Sequence, residues 1–494
     1  SCAPTRAAPV RYAAPMRVLR QVEAAEVEPA PERRGLFARL RDRDHTQGNL
    51  LVSVLVLALP SIATTAFSFG FFQMMELGFL GRLGAHALAA AGSSDQILRQ
   101  GLMLLAMGMS VATQMLIARA VGSGMVGRAE HLAGQSFVLA AGLATFAALL
   151  GGLFPAALVR LVAFEPEVIA LATVYVRIVF LSFFVIMSGQ VFSSVLNGAG
   201  DTTTPMLTSF AVTPVVVLGE WALTFGHLGA PALGIAGIPL GSAIGYAFGT
   251  SISLFMLFTG RCRVHLRLRH LRPDPAALGQ LVRVAWQPAF HMLARTLMIM
   301  FFMVMAGRLG EKVQAAYTVG LRVEMLAIML AFPIANACAT LVGQNLGAGN
   351  LSRAWGAIRA SSLVELAALW PLAAAVFFLR HWIVSKIVDD PEVADMAAEY
   401  LSYSATILLF YGLYFVAFRT LQAAGDMYTP MFISVSSAVF VGAPLAWFLE
   451  AHTSLGPTGM WIANLVYASL NAALMIGWLF AGRWAQGFGV RTNP

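Results

Sequence analysis

The sequence predicts an all-α membrane protein: twelve transmembrane helices arranged as two pseudo-symmetric six-helix lobes. Three observations predict it. Hydrophobic residues make up 58% of the 494-residue chain and charged residues 11%, with a mean hydropathy of +0.74, whereas soluble chains carry about 25% charge. Apolar runs follow one another from Leu50 to about Trp484, each long enough for the roughly 20 residues that a spanning helix needs. Finally, the chain repeats itself in order. Gly81-Arg-Leu-Gly84 recurs as Gly307-Arg-Leu-Gly310, and Ala199–Met206 (AGDTTTPM) recurs as Ala424–Met431 (AGDMYTPM). Val121-Gly-Ser-Gly124 pairs with Leu346-Gly-Ala-Gly349, and Leu233-Gly-Ile-Ala-Gly237 with Leu455-Gly-Pro-Thr-Gly459. Four ordered matches mark a duplicated unit.

The elements follow in chain order. Residues 1–49 hold nine Arg and six acidic residues among Pro and Ala, a composition that predicts a disordered basic tail; an Arg- and Ala-rich transit segment over 1–22 is the other reading. The first lobe, 50–260, predicts helices over 50–81, 86–120, 128–160, 167–198, 203–227 and 234–260. A basic linker spans 261–276, with five Arg and no acid in its 261–273 part. The second lobe, 277–482, predicts helices over 277–307, 314–346, 352–387, 392–423, 428–451 and 457–482, before a tail at 483–494. Six helices return the chain to its starting side, so the halves are parallel repeats. Tail, linker and C-terminus then share one side, and the Arg excess makes it the cytoplasmic one. Cys262 in the linker is expected to react with thiol reagents from that side. A basic run between two spans, with no soluble domain around it, gives no reason to expect nucleic acid.

Several stretches resemble the multidrug and toxic compound extrusion (MATE) family. These are residues 76–92 (ELGFLGRLGAHALAAAG), 197–206 (NGAGDTTTPM), 338–350 (CATLVGQNLGAGN) and 422–431 (QAAGDMYTPM). The resemblance covers about 50–482. It implies two lobes in a V and a secondary-active exporter. Such a protein moves small amphipathic, often cationic, compounds against protons or sodium through the lipid bilayer of the cell membrane. One branch, which includes the DNA-damage-inducible F proteins, places acids on helices 1 and 5 of the N-terminal lobe. Those positions match Glu76 and Glu220, and a helix-4 tyrosine of that branch matches Tyr175. Trp221 and Val216 stand where that branch has Pro and Asn. The NorM-type branch carries its cation-binding acids on helices 7 and 10, at positions that here hold Arg295 or Thr296 and Tyr411. A proton is therefore expected over sodium, in a monomer without cofactor. A lipid-linked oligosaccharide flippase of the same superfamily is the alternative, with Arg99, Arg177, Arg295 and Arg322 as phosphate-holding candidates.

The residues alone also single out the acids. A carboxylate inside a spanning helix is costly and marks a functional candidate. Glu76 and Glu220 each lie a turn or two from a helix end, so an interfacial role stays open. Pro60 and Pro214 precede them; a proline removes a backbone bond and permits a hinge, or simply sets a static shape. Asp95 and Arg99 have the i,i+4 spacing of an ion pair. Arg295, Arg322 and Glu324 are expected to form a polar network in the second lobe, with Arg295 and Glu324 paired. Three cysteines and nine histidines show no metal-ligand spacing. No nucleotide-binding or hydrolase motif occurs, so no enzymatic activity is expected.

Overall fold

The computed structural model describes residues 45–94, 98–160, 165–482 and 484–485; most of the predicted tails at 1–49 and 483–494, namely residues 1–44, 483 and 486–494, lies outside them, as does Asp95. Twelve helical spans appear in the expected order. In the first lobe α1 runs from Leu50–Thr65 through a π-helical segment, Ala66–Phe71, into Phe72–Leu83. Next come α2 (Ala85–Ser94, then Gln100–Gly122), α3 (Val126–Leu153), α4 (Pro166–Leu181 and Phe183–Ala199), α5 (Thr203–Phe225) and α6 (Gly237–Phe258). The second lobe contains α7 (Pro275–Leu309), α8 (Glu311–Gly347), α9 (Leu351–Ser385) and α10 (Pro391–Ala423). It closes with α11 (Tyr428–Ser437, a π segment Ala438–Gly442, Ala443–His452) and α12 (Pro457–Phe480). Eleven of these are each long and apolar enough to cross a membrane, and α4 makes the twelfth as a pair bent by 46°. The sequence predicts α4 unbroken over 167–198. The bend falls at Ser182, where ψ opens to 0°, and the Thr250 hydroxyl donates to the Val185 carbonyl just beyond it.

The duplicated Gly-Asp turns show how local chemistry sets the repeat. Gly200 and Gly425 take φ of 88° and 79°, the left-handed conformation that ends a helix and that Gly adopts without penalty. The following aspartate then caps the next helix. Asp201 Oδ1 accepts from Thr204 N at 2.9 Å and Asp426 Oδ1 from Thr429 N at 3.2 Å, satisfying amides that a helix start leaves unpaired.

Each lobe's first helix begins in the other lobe. Val54, Leu57 and Ala58 of α1 are buried in the core formed by α8, α9 and α10, whereas Phe79 and Leu80 return to the first lobe's core. Conversely, Ala277 and Leu281 of α7 pack in the first lobe, and Met298, Phe302 and Met305 in the second.

The lobes meet in a tight seam at the end that carries the linker. A Cβ on Gly122 would sit 1.9 Å from the Gln344 carbonyl oxygen, and one on Gly347 2.3 Å from that of Arg119, so α2 and α8 touch backbone to backbone. Polar groups close the seam. Arg419 donates to Gln114 Oε1 at 2.6 Å and Gln114 to Thr340 Oγ1 at 3.0 Å. Gln344 donates to the Gly198 carbonyl at 3.0 Å and Arg119 to that of Ala423 at 3.0 Å. The linker is part of this end. Gln135 donates to the carbonyls of His270 and Arg272. Asp274 caps α7, accepting from Ala276 N at 2.9 Å and lying 3.0 Å from His131 Nε2. These contacts, His131 first, hold the Asp274 carboxyl below its ordinary range.

Candidate functional site

The site of the first lobe is built by a glycine ladder. Gly237, Gly241, Gly245 and Gly249 recur every four residues on α6 and are all buried, a spacing that lets membrane helices approach closely. A Cβ on Gly241 would meet Glu220 N at 2.3 Å, and one on Gly245 would meet Val216 Cγ2 at 2.2 Å. This contact brings α6 side chains onto the α5 acid. Glu220 is fully buried, and its Oε1 accepts from the Ser242 hydroxyl at 2.5 Å. One turn further along α6, Tyr246 shares an electrostatic environment with Arg99, Glu76 and Glu220. Glu76 on α1 is buried, and its Oε1 lies 3.9 Å from Arg99 Nη1. Two carboxyls, one guanidinium and one phenol thus converge among α1, α2, α5 and α6, and Glu76 and Glu220 feel each other's charge.

Arg99 stands beside Glu76; its expected partner Asp95 lies outside the described residues. Tyr175 is buried in the core of the same lobe on α4. Pro60 sits inside α1, ahead of the π segment that leads to Glu76. A helix proline cannot bond the carbonyl four residues back, and here the orphaned Val56 carbonyl accepts from the Thr202 hydroxyl at 3.4 Å. Pro214 lies within the continuous α5, one and a half turns before Glu220.

The second lobe departs from expectation. Arg295 and Glu324 do not form an ion pair: they face one cavity of about 60 Å³ from α7 and α8. Glu324 Oε1 is occupied by the hydroxyls of Tyr400, at 2.8 Å, and Ser404, at 2.7 Å. Arg322 is exposed and lies outside that cavity. Residues two apart on a helix point about 200° from each other, so an inward Glu324 turns Arg322 outward. Cys262, expected to be reactive, is buried against the first lobe's core. Among the described residues no His, Cys, Asp and Glu cluster could hold a metal ion.

Several groups escaped the sequence reading. Ser242 and Tyr246 were signalled by the four-residue glycine spacing on α6. Glu365 on α9 is fully buried against Gly412, and neither of its oxygens has a hydrogen-bond partner; its signal was an acid inside an apolar run. The seam's Gln114 and Arg419 had no sequence signal, because their roles arise only where the lobes meet.

Comparison with known proteins identifies the family and the fold. Each half of the chain matches the MatE family, over residues 60–221 and 288–448. Among curated proteins, the chain is 24% identical over 440 residues to the probable multidrug resistance protein NorM of Thermotoga maritima, covering 88% of this chain and 93% of that one. It is 26% identical over 445 residues to the multidrug resistance protein PmpM of Pseudomonas aeruginosa, covering 86% and 90%. Among solved structures, an outward-facing multidrug resistance MATE family transporter of the MOP superfamily shares the fold, with a TM-score of 0.83 at 19% identity over 90% of this chain and 98% of that one. A MOP superfamily transporter from Pyrococcus furiosus does so with a TM-score of 0.83 at 19% identity, over 93% and 100%.

Proposed function

The chain belongs to the MatE family, and from that premise we propose that it is a secondary-active exporter of small amphipathic compounds, often cationic, driven by protons. The observation that carries the coupling is the meeting of Glu76 and Glu220 in the first lobe, beside Arg99 and Tyr246. Two neighbouring carboxyls in an apolar setting favour holding a proton between them. Deprotonation leaves negative charge that a cationic substrate can neutralise, and this competition exchanges one for the other. Acids on α1 and α5 are the arrangement of the branch that includes the DNA-damage-inducible F proteins, although the curated relatives named above are a NorM and PmpM. Tyr175 completes the lobe around the pair, and Pro60 and Pro214 are the hinges through which protonation bends α1 and α5.

The seam sits at the linker end. With the Arg-rich linker on the cytoplasmic side, as are both termini, the cleft between the lobes opens outward, and transport requires the seam to part. The protein works as a monomer. The flippase alternative loses force from the placement of its arginines: Arg177 and Arg322 are exposed, Arg99 faces Glu76, and Arg295 lies inside the second lobe.

The test is efflux of a cationic dye from proteoliposomes. Wild-type transport should follow an imposed pH gradient and ignore a sodium gradient. Glu76→Gln should still bind dye yet fail to exchange it, Glu220→Gln likewise, and the double variant should be little worse than either, because residues acting as a unit are not additive. Normal export by Glu76→Gln, or export driven by sodium alone, would refute the reading.

A further inference from the structure

The second lobe holds a built chamber for which the coupling reading has no use. Arg295 lies fourteen residues before the end of α7 and Glu324 thirteen after the start of α8. At about 1.5 Å per residue both sit roughly 20 Å from the same helix ends. Charged groups at this depth are expensive and are normally paired or functional. These two are more than a contact apart, yet they line one cavity of about 60 Å³. Tyr411, Tyr414 and Tyr467 line it with Arg295, whose guanidinium stands over the Phe415 ring, 5.8 Å from its centroid. His291 and Asn471 line the same cavity and are 2% and 6% exposed. Even so, His291 Nδ1 and Asn471 Oδ1 have no hydrogen-bond partner. Unpartnered buried polar atoms around a polar cavity point to an occupant.

We propose that this chamber binds the head group of a small zwitterion, an α-amino acid with an apolar side chain. Its carboxylate would lie against Arg295 and its ammonium against Glu324. The charges select this chemistry. A lone cation would meet the fixed guanidinium and a lone anion the fixed carboxylate, whereas a zwitterion matches both. Arg295 presents the fork that pairs best with a carboxylate. Glu324 has one oxygen occupied by Tyr400 and Ser404, which leaves Oε2 for an ammonium. The Asn471 carbonyl is a second acceptor for that ammonium. Size bounds what is held: at about 10–15 Å³ per water-sized group the space takes four to six such groups, which matches the roughly five non-hydrogen atoms of an amino-acid head group alone, so the side chain has to extend past it along the apolar part of the lining. Met298, Phe302, Leu321 and Ile328 supply the apolar wall for the side chain. The π segment of α11 closes on the same place, for a Cβ on Gly442 would meet Met298 and Tyr467.

The test uses the full-length protein in lipid nanodiscs and three probes of one shape: L-leucine, its amide (a cation) and 4-methylpentanoate (an anion). Radiolabelled L-leucine should bind saturably, and neither the amide nor 4-methylpentanoate should compete with comparable affinity. Arg295→Gln and Glu324→Gln should each weaken binding at least about tenfold, as loss of one charge-assisted contact does. Removing one buried charge can itself cost folding, so Ala468→Leu, which fills the chamber and keeps both charges, serves as the second variant and should abolish binding. Glu76→Gln should leave leucine binding intact, which separates this site from the first-lobe pair; failure of either reading leaves the other standing. No leucine binding, equal competition by the amide or by 4-methylpentanoate, or full binding in Ala468→Leu would overturn the assignment.

Discussion

Gly122→Ala tests whether the seam between α2 and α8 governs access. The added Cβ would lie 1.9 Å from the Gln344 carbonyl oxygen and 2.6 Å from its Cα. Both are backbone atoms, so no side-chain rotation relieves the clash, and the lobes must separate locally. Overpacking of this kind costs about 1–3 kcal/mol. The cost falls only on the closed seam, since parting the lobes removes Gln344 from the contact. At about 1.4 kcal/mol per tenfold, the open population should rise roughly 5- to 150-fold. Met125 and Ser352 are exposed residues in the equivalent α2–α3 and α8–α9 regions, one in each lobe. Spin labels on cysteines placed there, in a background without the native cysteines, report the lobe separation by pulsed electron resonance. Gly127→Ala is the control, because nothing lies within 4 Å of its added Cβ. An unchanged distance distribution in Gly122→Ala, matching that of Gly127→Ala, would show that the seam is not the element that opens.

Three further outcomes follow. Thr202→Val removes the donor to the Val56 carbonyl and should cost about 0.5–1.5 kcal/mol in thermal or denaturant stability; in a Pro60→Ala background, where the helix can bond that carbonyl itself, the cost should vanish, and an equal loss in both backgrounds would refute the link. Asp274, held below its ordinary range by His131 and the α7 amides, contributes stability that is full above the unfolded value of about 3.9 and is lost as pH falls through the lower folded value. Asp274→Asn should therefore flatten the acid limb of melting temperature against pH, and an unaltered limb would exclude the cap. For orientation, Leu268 on the linker is 76% exposed, so Leu268→Cys replaces the buried Cys262 as reporter; in a background without native cysteines an impermeant maleimide should label it only from the cytoplasmic side, and labelling of intact cells from outside would invert the topology.

The twelve spans were legible because each is a long apolar run bounded by turn chemistry that works locally. The Gly200-Asp201 and Gly425-Asp426 turns act through φ and a cap three residues on, both readable from sequence. Glu76 and Glu220 were legible for a related reason: an acid in an apolar run is conspicuous. The bend at Ser182 was not, since no Pro or Gly marks it and its partner, Thr250, is on α6. The Arg295–Glu324 relation was half legible. Sequence indicated two opposite charges in neighbouring helices, but helix rotation about each axis decides between contact and a shared cavity. That same rotation disposes of Arg322, whose distance of two residues from Glu324 already held the answer. The α6 ladder at Gly237, Gly241, Gly245 and Gly249 was written in the sequence in plain four-residue spacing, and reading it would have brought Ser242 and Tyr246 to Glu220.

The duplication gives these two sites a common origin and opposite polarity. An offset of 225 residues, that of the repeated Ala199 and Ala424 turns, carries Arg99 of α2 onto Glu324 of α8. In the first lobe this position holds a cation that faces an acid on α1, Glu76. In the second it holds an acid that faces a cation on α7, Arg295. One scaffold position thus carries a charge turned towards the preceding helix in both lobes, with the sign exchanged. Each charge is also joined by a tyrosine environment, Tyr246 in one lobe and Tyr400 with Tyr411 in the other. A π segment lies beside each site, Ala66–Phe71 before Glu76 and Ala438–Gly442 against the second-lobe chamber, and such segments often mark functional places in helices. The difference is in the α5 equivalent. Glu220 adds a second carboxyl to the first-lobe site, whereas an offset of 225 sets Leu445 at that place in the second lobe. An excess carboxyl suits exchange of a proton with a cation, and a balanced pair suits a ligand that carries both charges. On the two readings proposed above, the same fold filled with different charges would serve two binding chemistries in one chain.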